Sequence, residues 1–321
     1  MCANCSFFFN AFFSLVIMSA ALLIAVNKSN CTFTMNDMTG KVVVVTGANS
    51  GIGFWSAKML ADMNAEVIIG CRTLQKAKEA KERMEKESGR SIKIVPLEVD
   101  LSSLKSVLEF TREVKSRYEK LDVLINNAAV MRIFSKEDYT KDGLEMMMGV
   151  NHISHHLLTR ELIELIRRGG KGSRVINLTA VGHKLVSTNF VENLMGHNVS
   201  GIVQYCNSKA ANILFSLELQ KRVGACIFSL HPGNIETHIN RDMPHWLFPF
   251  FRVIQKLFLL SPKEGALSTI FLASDPSLQN SCGKYWEGCS MSDEAPVVRD
   301  QELAKKLWDK TEEILRSKLK F

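Results

Sequence analysis

A tyrosine and a lysine four residues apart are the side chains of this sequence best suited to proton transfer. Tyr205 and Lys209 fall within residues 202–223, whose pattern predicts a helix, so both side chains are expected on one helical face. An isolated phenol has a pKa of about 10, and a nearby ammonium favours the phenolate and lowers that pKa. The pair could then exchange a proton with an alcohol or a carbonyl oxygen while a hydride moves. An ordinary amphipathic helix is the alternative for the pair taken alone.

A glycine-rich turn near residue 50 is suited to binding a pyrophosphate. The β-branched run Val42–Val45 predicts a buried parallel strand, and the pattern of Ile52–Met63 predicts a helix. Glycines in the turn between them allow a sharp bend and a close approach to a ligand, and the N–H groups that begin a helix point at an anion. A tight turn without a ligand is the alternative. The residues expected to bind a cofactor here are Gly47, Asn49, Ser50, Gly51, Ile52 and Gly53.

The residue that follows the second predicted strand bears on which cofactor binds. Glu66–Cys71 is predicted as that strand, and Arg72 follows it. An acidic residue about 20 positions beyond the glycines would select NAD by bonding a ribose hydroxyl. Arg72 can instead hold a 2′-phosphate, since a guanidinium matches phosphate geometry. The sequence therefore predicts NADP (NADPH), with a merely solvated arginine as the alternative.

Strand and helix patterns alternate along the rest of the chain. This alternation predicts an α/β fold, a Rossmann-type doubly wound parallel sheet between two layers of helices. Ligands of such sheets bind outside the carboxyl ends of the strands. The candidate residues at those ends are Gly47, Arg72, Asp100, Asn126, Thr179 and Pro232.

Several short motifs follow one another in a fixed order after Met38. They are T-G-x-x-x-G-x-G from Thr46 to Gly53, Asn126-Asn127-Ala128-Ala129, Y-x-x-x-K from Tyr205 to Lys209, and P-G-x-x-x-T from Pro232 to Thr237. In this order, each at a strand end or on a helix, they resemble the short-chain dehydrogenase/reductase family. The resemblance implies that Asn151 is structural and catalytic, and that Lys209 also holds the ribose hydroxyls. The cofactor-binding residues that it adds are Asp100, Asn127, Ala128, Lys209, Pro232, Gly233 and Thr237.

One position departs from the family pattern. The catalytic serine of the family falls on Ala180, while Thr179 lies one residue earlier. Neighbouring strand residues point to opposite faces, so Thr179 is a substitute only if the strand bulges or shifts. Loss of one hydrogen-bond donor to the reacting oxygen costs roughly 10²–10³ in rate. Two functions stay open: an NADP-dependent oxidoreductase with Thr179 among its catalytic residues, and a catalytically weak cofactor-binding sensor or scaffold.

Within the family, several segments resemble the retinol dehydrogenase branch and the catalytic domain of the WW-domain-containing oxidoreductase. They are residues 40–53, Cys71-Arg72, Val150-Asn151-His152, Asn212–Phe215 and His231–Asn234. The resemblance implies NADP(H), a membrane-bound domain facing the cytosol, and a lipophilic retinoid, steroid or fatty aldehyde substrate. A homodimer is a further candidate assembly.

The N-terminus predicts a membrane anchor. Phe7–Val26 carries no charge, and about 20 apolar residues span a bilayer as a helix. A cleaved signal peptide is the alternative. Residues 1–38 are therefore assigned to an anchor and linker, and residues 39–321 to a single catalytic domain. The first lysines, Lys28 and Lys41, follow the apolar run, so the positive-inside rule places the domain in the cytoplasm, with the endoplasmic reticulum as the expected membrane.

Other features of the sequence bear on compartment and partners. The eight cysteines are scattered, which predicts free thiols in a reducing compartment. The alternative is the lumen of the secretory pathway, where the sequons at Asn27 and Asn30 would matter. The net charge of +7 is spread out, so a nucleic-acid partner is not expected. His152, His155 and His156 have helical spacing without matching ligands, so no metal is expected. Residues 240–262 are predicted as an apolar substrate lid, with a core-packing helix as the alternative.

Overall fold

The fold was derived from a computed structural model, which describes residues 31–132, 138–186, 188–196, 199–235 and 259–319. Three sequence predictions lie outside the described residues: the apolar run Phe7–Val26, the role of Thr237, and the lid up to residue 258. No helix among the described residues combines the length and apolar character needed to cross a bilayer.

Eight strands form one sheet, and all but the last pair run parallel. In chain order the strands are β1 Val42–Thr46, β2 Glu66–Cys71, β3 Ile94–Glu98, β4 Val123–Asn126, β5 Arg174–Leu178, β6 Cys226–His231, β7 Tyr285–Glu287 and β8 Ser290–Met291. Their order across the sheet is β3-β2-β1-β4-β5-β6-β7-β8. The strand order reverses between β1 and β4. A ligand crevice is therefore expected outside the carboxyl ends of these two strands.

Helices cover both faces of this sheet. They are α1 Gly51–Asp62, α2 Leu74–Ser88, α3 Leu104–Arg117, α4 Ser154–Arg168, α5 Gly201–Val223, α6 Pro262–Ser274 and α7 Gln301–Leu319. The core forms two layers because side chains of each strand alternate between the faces. Val44 and Leu124 pack with α3, α4 and α5, whereas Val43 and Ile125 pack with α1 and α6. The predicted three-layer Rossmann architecture is therefore confirmed.

The hydrophobic pattern of residues 143–168 predicts one long helix, and that prediction is wrong at the start of the segment. The chain forms a single turn at Met146–Met148, then a π-helix at Gly149–Ile153, and only then α4. A π-helix inserts one extra residue into a helical turn, and such insertions are frequent at functional sites. Hydrophobic periodicity does not register one inserted residue, so the sequence predicted a continuous helix.

The prediction that the cysteines are free thiols is wrong for four of them. Cys31 is disulfide-bonded to Cys289, with their Cα atoms 5.3 Å apart, and Cys226 to Cys282, with Cα atoms 4.7 Å apart. Both distances lie in the range that a disulfide requires. The partners are 258 and 56 residues apart in sequence, so their spacing carried no signal. Cys71 and Cys206 are free and buried.

Candidate active-site crevice

A crevice of about 690 Å³ opens along the carboxyl ends of the strands. Its wall includes the predicted residues Gly47, Asn49, Ser50, Gly51, Ile52, Arg72, Asp100, Asn127, Ala128, Thr179, Tyr205, Lys209, Pro232 and Gly233. Gly53 and Asn151 are not part of the lining and support it from behind. The fold thus brings to one place residues that are almost two hundred positions apart in the sequence.

The glycine turn at one end of the crevice depends on backbone that only glycine adopts easily. Gly47 and Gly51 have φ angles of 67° and 61°, in the left-handed region. Gly53 is required for a different reason: a Cβ there would lie 2.4 Å from Nδ2 of Asn127 and 2.6 Å from the carbonyl oxygen of Gly47. The turn is therefore packed directly against the end of β4, and α1 begins with its N–H groups beside the crevice.

Thr46 ties the ends of β1 and β4 together below this turn. Its Oγ1 accepts hydrogen bonds from the backbone N–H groups of Asn127 and Ala128, both at 3.0 Å. Nε2 of His155 lies 2.9 Å from the same oxygen, and Nδ1 of His155 lies 3.1 Å from the carbonyl oxygen of Asn151. Burial lowers the pKa of His155 to about 4, so the ring is neutral. The consistent tautomer donates from Nδ1 to Asn151 and accepts at Nε2 from the Thr46 hydroxyl.

Asn151 lies in the π-helix and joins three parts of the site. Its Oδ1 accepts from the N–H of Val130 at 2.8 Å, and its Nδ2 donates to the carbonyl oxygen of Val130 at 3.0 Å. The same amide donates to Oγ of Ser208 on α5 at 3.0 Å. The side chain is fully buried. Asn151 thus fixes the segment after β4 against the helix that carries the tyrosine and the lysine.

Tyr205 and Lys209 share one face of α5, as predicted from their spacing. Nζ of Lys209 lies 5.8 Å from the centre of the Tyr205 ring and donates to the carbonyl oxygen of Leu178 at 3.1 Å. Burial lowers the pKa of Lys209 to about 8. The expected lowering of the tyrosine pKa is wrong for this structure: desolvation, with a smaller contribution from Cys206, raises the pKa of Tyr205. The phenol is therefore protonated at neutral pH and can donate a proton.

Ala180 and Thr179 determine which hydroxyl groups reach the reacting centre. Ala180 lines the crevice with a methyl group where the family pattern has serine. Oγ1 of Thr179 donates to the backbone carbonyl of Lys209 at 2.8 Å. Its proton is therefore used to hold α5 against β5, and Thr179 offers no hydrogen bond donor to a bound substrate in this arrangement.

Positive charge gathers at the opposite end of the crevice from Tyr205. Arg72 and Lys76 are both exposed, both line the wall, and within the described part of the chain neither forms an ion pair. Lys76 was missed by the sequence analysis, although it lies only four residues after Arg72. Asp100 borders this end, where its carboxylate accepts from the Ser102 N–H at 3.0 Å and lies 2.8 Å from Nζ of Lys141. Burial alone would raise the pKa of Asp100, but the bonds from Lys141 and Ser102 outweigh it and lower that pKa.

The other two helical histidines belong to the packing of α7 rather than to the crevice. Nε2 of His156 lies 2.7 Å from a carboxylate oxygen of Glu312, and Nε2 of His152 lies 3.1 Å from the hydroxyl of Thr311. Both rings are buried, and burial lowers both pKa values.

Comparison with known proteins agrees with the site. The family profile described as short chain dehydrogenase matches residues 41–247. The chain belongs to the short-chain dehydrogenase family. It is 36% identical over 286 residues to retinol dehydrogenase 11 of Mus musculus, covering 87% of each chain. It is 33% identical over 294 residues to the WW domain-containing oxidoreductase of Homo sapiens, covering 88% of this chain and 70% of that protein.

Solved structures give the same result for the fold. A crystal structure of an uncharacterised protein from Mycobacterium paratuberculosis superposes with a TM-score of 0.68 at 27% identity, covering 88% of this chain and 97% of that one. A short chain dehydrogenase from Escherichia coli complexed with NADPH superposes with a TM-score of 0.63 at 17% identity, covering 80% and 100%. This chain is thus an oxidoreductase of the short-chain dehydrogenase family. The close approach at Gly53 and the glycine turn suit a pyrophosphate. Arg72 and Lys76, which have no ion-pair partner in the described part of the chain, suit a phosphate.

Proposed function

We propose that this short-chain dehydrogenase is an NADPH-dependent enzyme that reduces a lipophilic carbonyl compound. The observation that carries the proposal is the protonated Tyr205 in the crevice wall beside Lys209, with Pro232 and Gly233 nearby. At the far end lie two cations that have no ion-pair partner among the described residues. Bound NADPH would supply the hydride. The proton would come from a residue of the chain itself.

Tyr205 would donate its phenolic proton to the carbonyl oxygen of the substrate, which becomes an alcohol. The phenol is protonated at neutral pH, which donation of a proton requires. Lys209 would hold the ribose hydroxyls and favour the tyrosinate that the donation leaves. Asn151 would keep the segment after β4 in place. Thr237 is proposed to hold the nicotinamide end, in keeping with the P-G-x-x-x-T pattern.

The proposed preference for NADPH rests on Arg72 and Lys76. Both cations line the same end of the crevice and lack ion-pair partners among the described residues. A 2′-phosphate would therefore not have to displace a carboxylate in order to bind them. Asp100, the nearest acidic wall residue, is already neutralised by Lys141. Asp100, Asn127 and Ala128 are proposed to border the adenosine and ribose.

The substrate class is proposed from the relatives, several of which are named retinol dehydrogenases. A retinoid, a steroid or a fatty aldehyde would fit a lipophilic site. A second function is favoured by Ala180: without the serine hydroxyl, this protein would bind NADPH yet turn over slowly, as a sensor or scaffold. Homodimer formation stays a prediction.

The compartment is proposed from the cysteines and the N-terminal apolar run. Phe7–Val26 would anchor the chain to a membrane of the secretory pathway. The free-thiol premise for a cytosolic domain no longer holds, because two disulfides persist only where thiols are not kept reduced. We therefore place the catalytic domain in the lumen, which was the alternative orientation, rather than in the cytoplasm.

The test measures cofactor binding and turnover separately. The full chain in detergent or nanodiscs is titrated with NADPH by fluorescence and is then supplied with all-trans-retinal, a ketosteroid and a long-chain aldehyde. NADPH consumption that is lost in Tyr205→Phe, while NADPH binding stays, supports the enzyme. Binding with no turnover of any of the three compounds would favour the sensor or scaffold.

A further inference from the structure

The first described residue of the chain is held beside the active-site crevice by a covalent bond. Cys31 is disulfide-bonded to Cys289, which lies in the turn between β7 and β8. One residue earlier in that turn, the N–H of Gly288 donates to the carbonyl oxygen of His231 at 2.9 Å. His231 lines the crevice next to Pro232. The N-terminal end of the described chain therefore lies by the nicotinamide end of the crevice, away from Arg72.

Further contacts fix the path of the segment that follows Cys31. The rings of Phe33 and Phe271 are 5.5 Å apart, and Nδ2 of Asn36 donates to the carbonyl oxygen of Ser274 at 3.3 Å. Both partners lie on α6. Residues 31–38 thus run along α6, and the end that joins the N-terminal apolar run is the end at the crevice.

Chain length limits how far the apolar run can be from this point. Only the four residues 27–30 separate Val26 from Cys31. At about 3.6 Å per residue at most, the end of the run lies within about 18 Å of Cys31. If Phe7–Val26 is embedded in a bilayer, the surface of that bilayer must lie close to the β7–β8 end of the sheet.

Exposed apolar side chains occupy this same end. Leu185 is 76% exposed and Val181, which lines the crevice, is 38% exposed. Their short helix, Val181–Leu185, is next to β7, because Nζ of Lys184 lies 3.9 Å from a carboxylate oxygen of Glu287. Met291 on β8 is 60% exposed. We call Val181, Leu185 and Met291 the rim.

We propose that the rim rests on the membrane in which Phe7–Val26 is embedded, so that the crevice opens onto the bilayer and takes its substrate from the lipid phase. The proposal rests on the proposed anchor and lipophilic substrate. The occupant of the rim is a lipid surface because the anchor length brings that surface within reach, and because large exposed apolar side chains otherwise favour burial.

The test locates lipid contacts directly and does not depend on turnover. The full chain is placed in nanodiscs of phosphatidylcholine that contain a photoactivatable acyl chain, irradiated, and analysed by peptide mass spectrometry. We expect labelled peptides that contain Leu185 and Met291. Leu74 is the matched control, because it is also exposed and apolar, at 40%, but lies beside β2, at the opposite end of the sheet. It is expected to stay unlabelled.

Variants sharpen the result. Leu185→Asp is expected to reduce labelling of its peptide about tenfold, since an apolar contact with lipid becomes unfavourable. Leu74→Asp should change nothing. Cys289→Ser, which frees the N-terminal segment from β7, should reduce labelling at both rim peptides. Equal labelling of the Leu74 and Leu185 peptides would overturn the proposal, and so would rim peptides that carry no label while residues 7–26 are labelled.

The experiment distinguishes a wrong assignment of the membrane contact from a wrong assignment of the enzymatic function. Labelled rim peptides in a protein that turns over no carbonyl compound would uphold the membrane contact and leave only the enzyme in question. An active enzyme without rim labels would do the reverse.

Discussion

At Ala180 a methyl group faces the crevice where the family pattern has a hydroxyl. The structure answers whether Thr179 replaces it: the Thr179 proton is donated to the carbonyl of Lys209, so this hydroxyl positions α5 instead. In this region of the described chain, Tyr205 is then the residue that can give a proton to the reacting oxygen.

We predict that Ala180→Ser raises turnover. A serine at this position would add one donor to the reacting oxygen, and one such donor is worth up to about 10²-fold in rate in comparable sites. Steady-state kinetics with the best substrate of the wild type measure the change. Thr179→Val should lower stability by about 1 kcal/mol and leave most of the turnover, since it removes one internal hydrogen bond. If Thr179→Val were as inactive as Tyr205→Phe, Thr179 would have a direct catalytic role.

We predict that Arg72→Ala and Lys76→Ala each weaken NADPH binding more than NADH binding. Both changes remove a cation from the end of the crevice where a 2′-phosphate would lie, and NADH has no such phosphate. Fluorescence titration of each variant with both cofactors gives the two affinities. Lys78→Ala, on the same helix but outside the crevice lining, is the control. Equal losses for NADH and NADPH would contradict the assignment.

The buried ammonium of Lys209 is predicted to make stability depend on pH. Burial lowers its pKa from 10.5 to about 8, so between these values the unfolded chain binds more protons than the folded one. The free energy of unfolding should therefore rise with pH from about 8 upward and lack this rise in Lys209→Met. Urea unfolding of both proteins at about pH 7.5 and about pH 9.5 measures the difference. Parallel pH dependences in the two proteins would mean that Lys209 keeps its ordinary pKa.

At the scale of elements, the ends of the strands could be predicted from the sequence. The π-helix and the disulfides could not. Val42–Val45 and the glycines after them identified β1, its turn and α1, because a buried parallel strand and a left-handed turn each demand particular residue types. The π-helix at Gly149–Ile153 left no trace in the hydrophobic pattern. Lys76 was missed because a lysine on an exposed helix is ordinary until the crevice beside it is known. The disulfides join residues that only the finished sheet brings together.

The contact between α1 and β4 is predicted to tolerate no side chain at position 53. Gly53→Ala would place a Cβ 2.4 Å from Asn127 and 2.6 Å from the backbone of Gly47, so the turn must open. We expect loss of NADPH binding together with a lower melting temperature. Gly172→Ala is the control, because a Cβ there meets nothing within 4 Å. A Gly53→Ala protein that binds NADPH normally would show that the turn can shift without loss.

For the whole molecule, the two disulfides predict a definite number of reactive thiols. Of the eight cysteines, the four in the Cys31–Cys289 and Cys226–Cys282 pairs should be protected from a maleimide polymer in acid-quenched, denatured protein from cells. At most four tags are therefore expected before reduction, and Cys226→Ser should gain one tag by freeing Cys282. Protease added outside sealed microsomes should leave the domain intact, with glycans on Asn27 or Asn30. Eight tags on unreduced protein, together with digestion of the domain by the added protease, would show that the domain faces the cytosol.

The Cys31–Cys289 bond also makes a closed covalent ring of most of the chain, since its ends are 258 residues apart. A single backbone cut anywhere inside that ring leaves every piece joined to the N-terminal segment. Proteolytic shedding, by which many anchored proteins become diffusible, would therefore need either a cut before Cys31 or a reducing agent in addition to a protease. A nicked molecule should migrate as one species on a non-reducing gel and as two species after reduction.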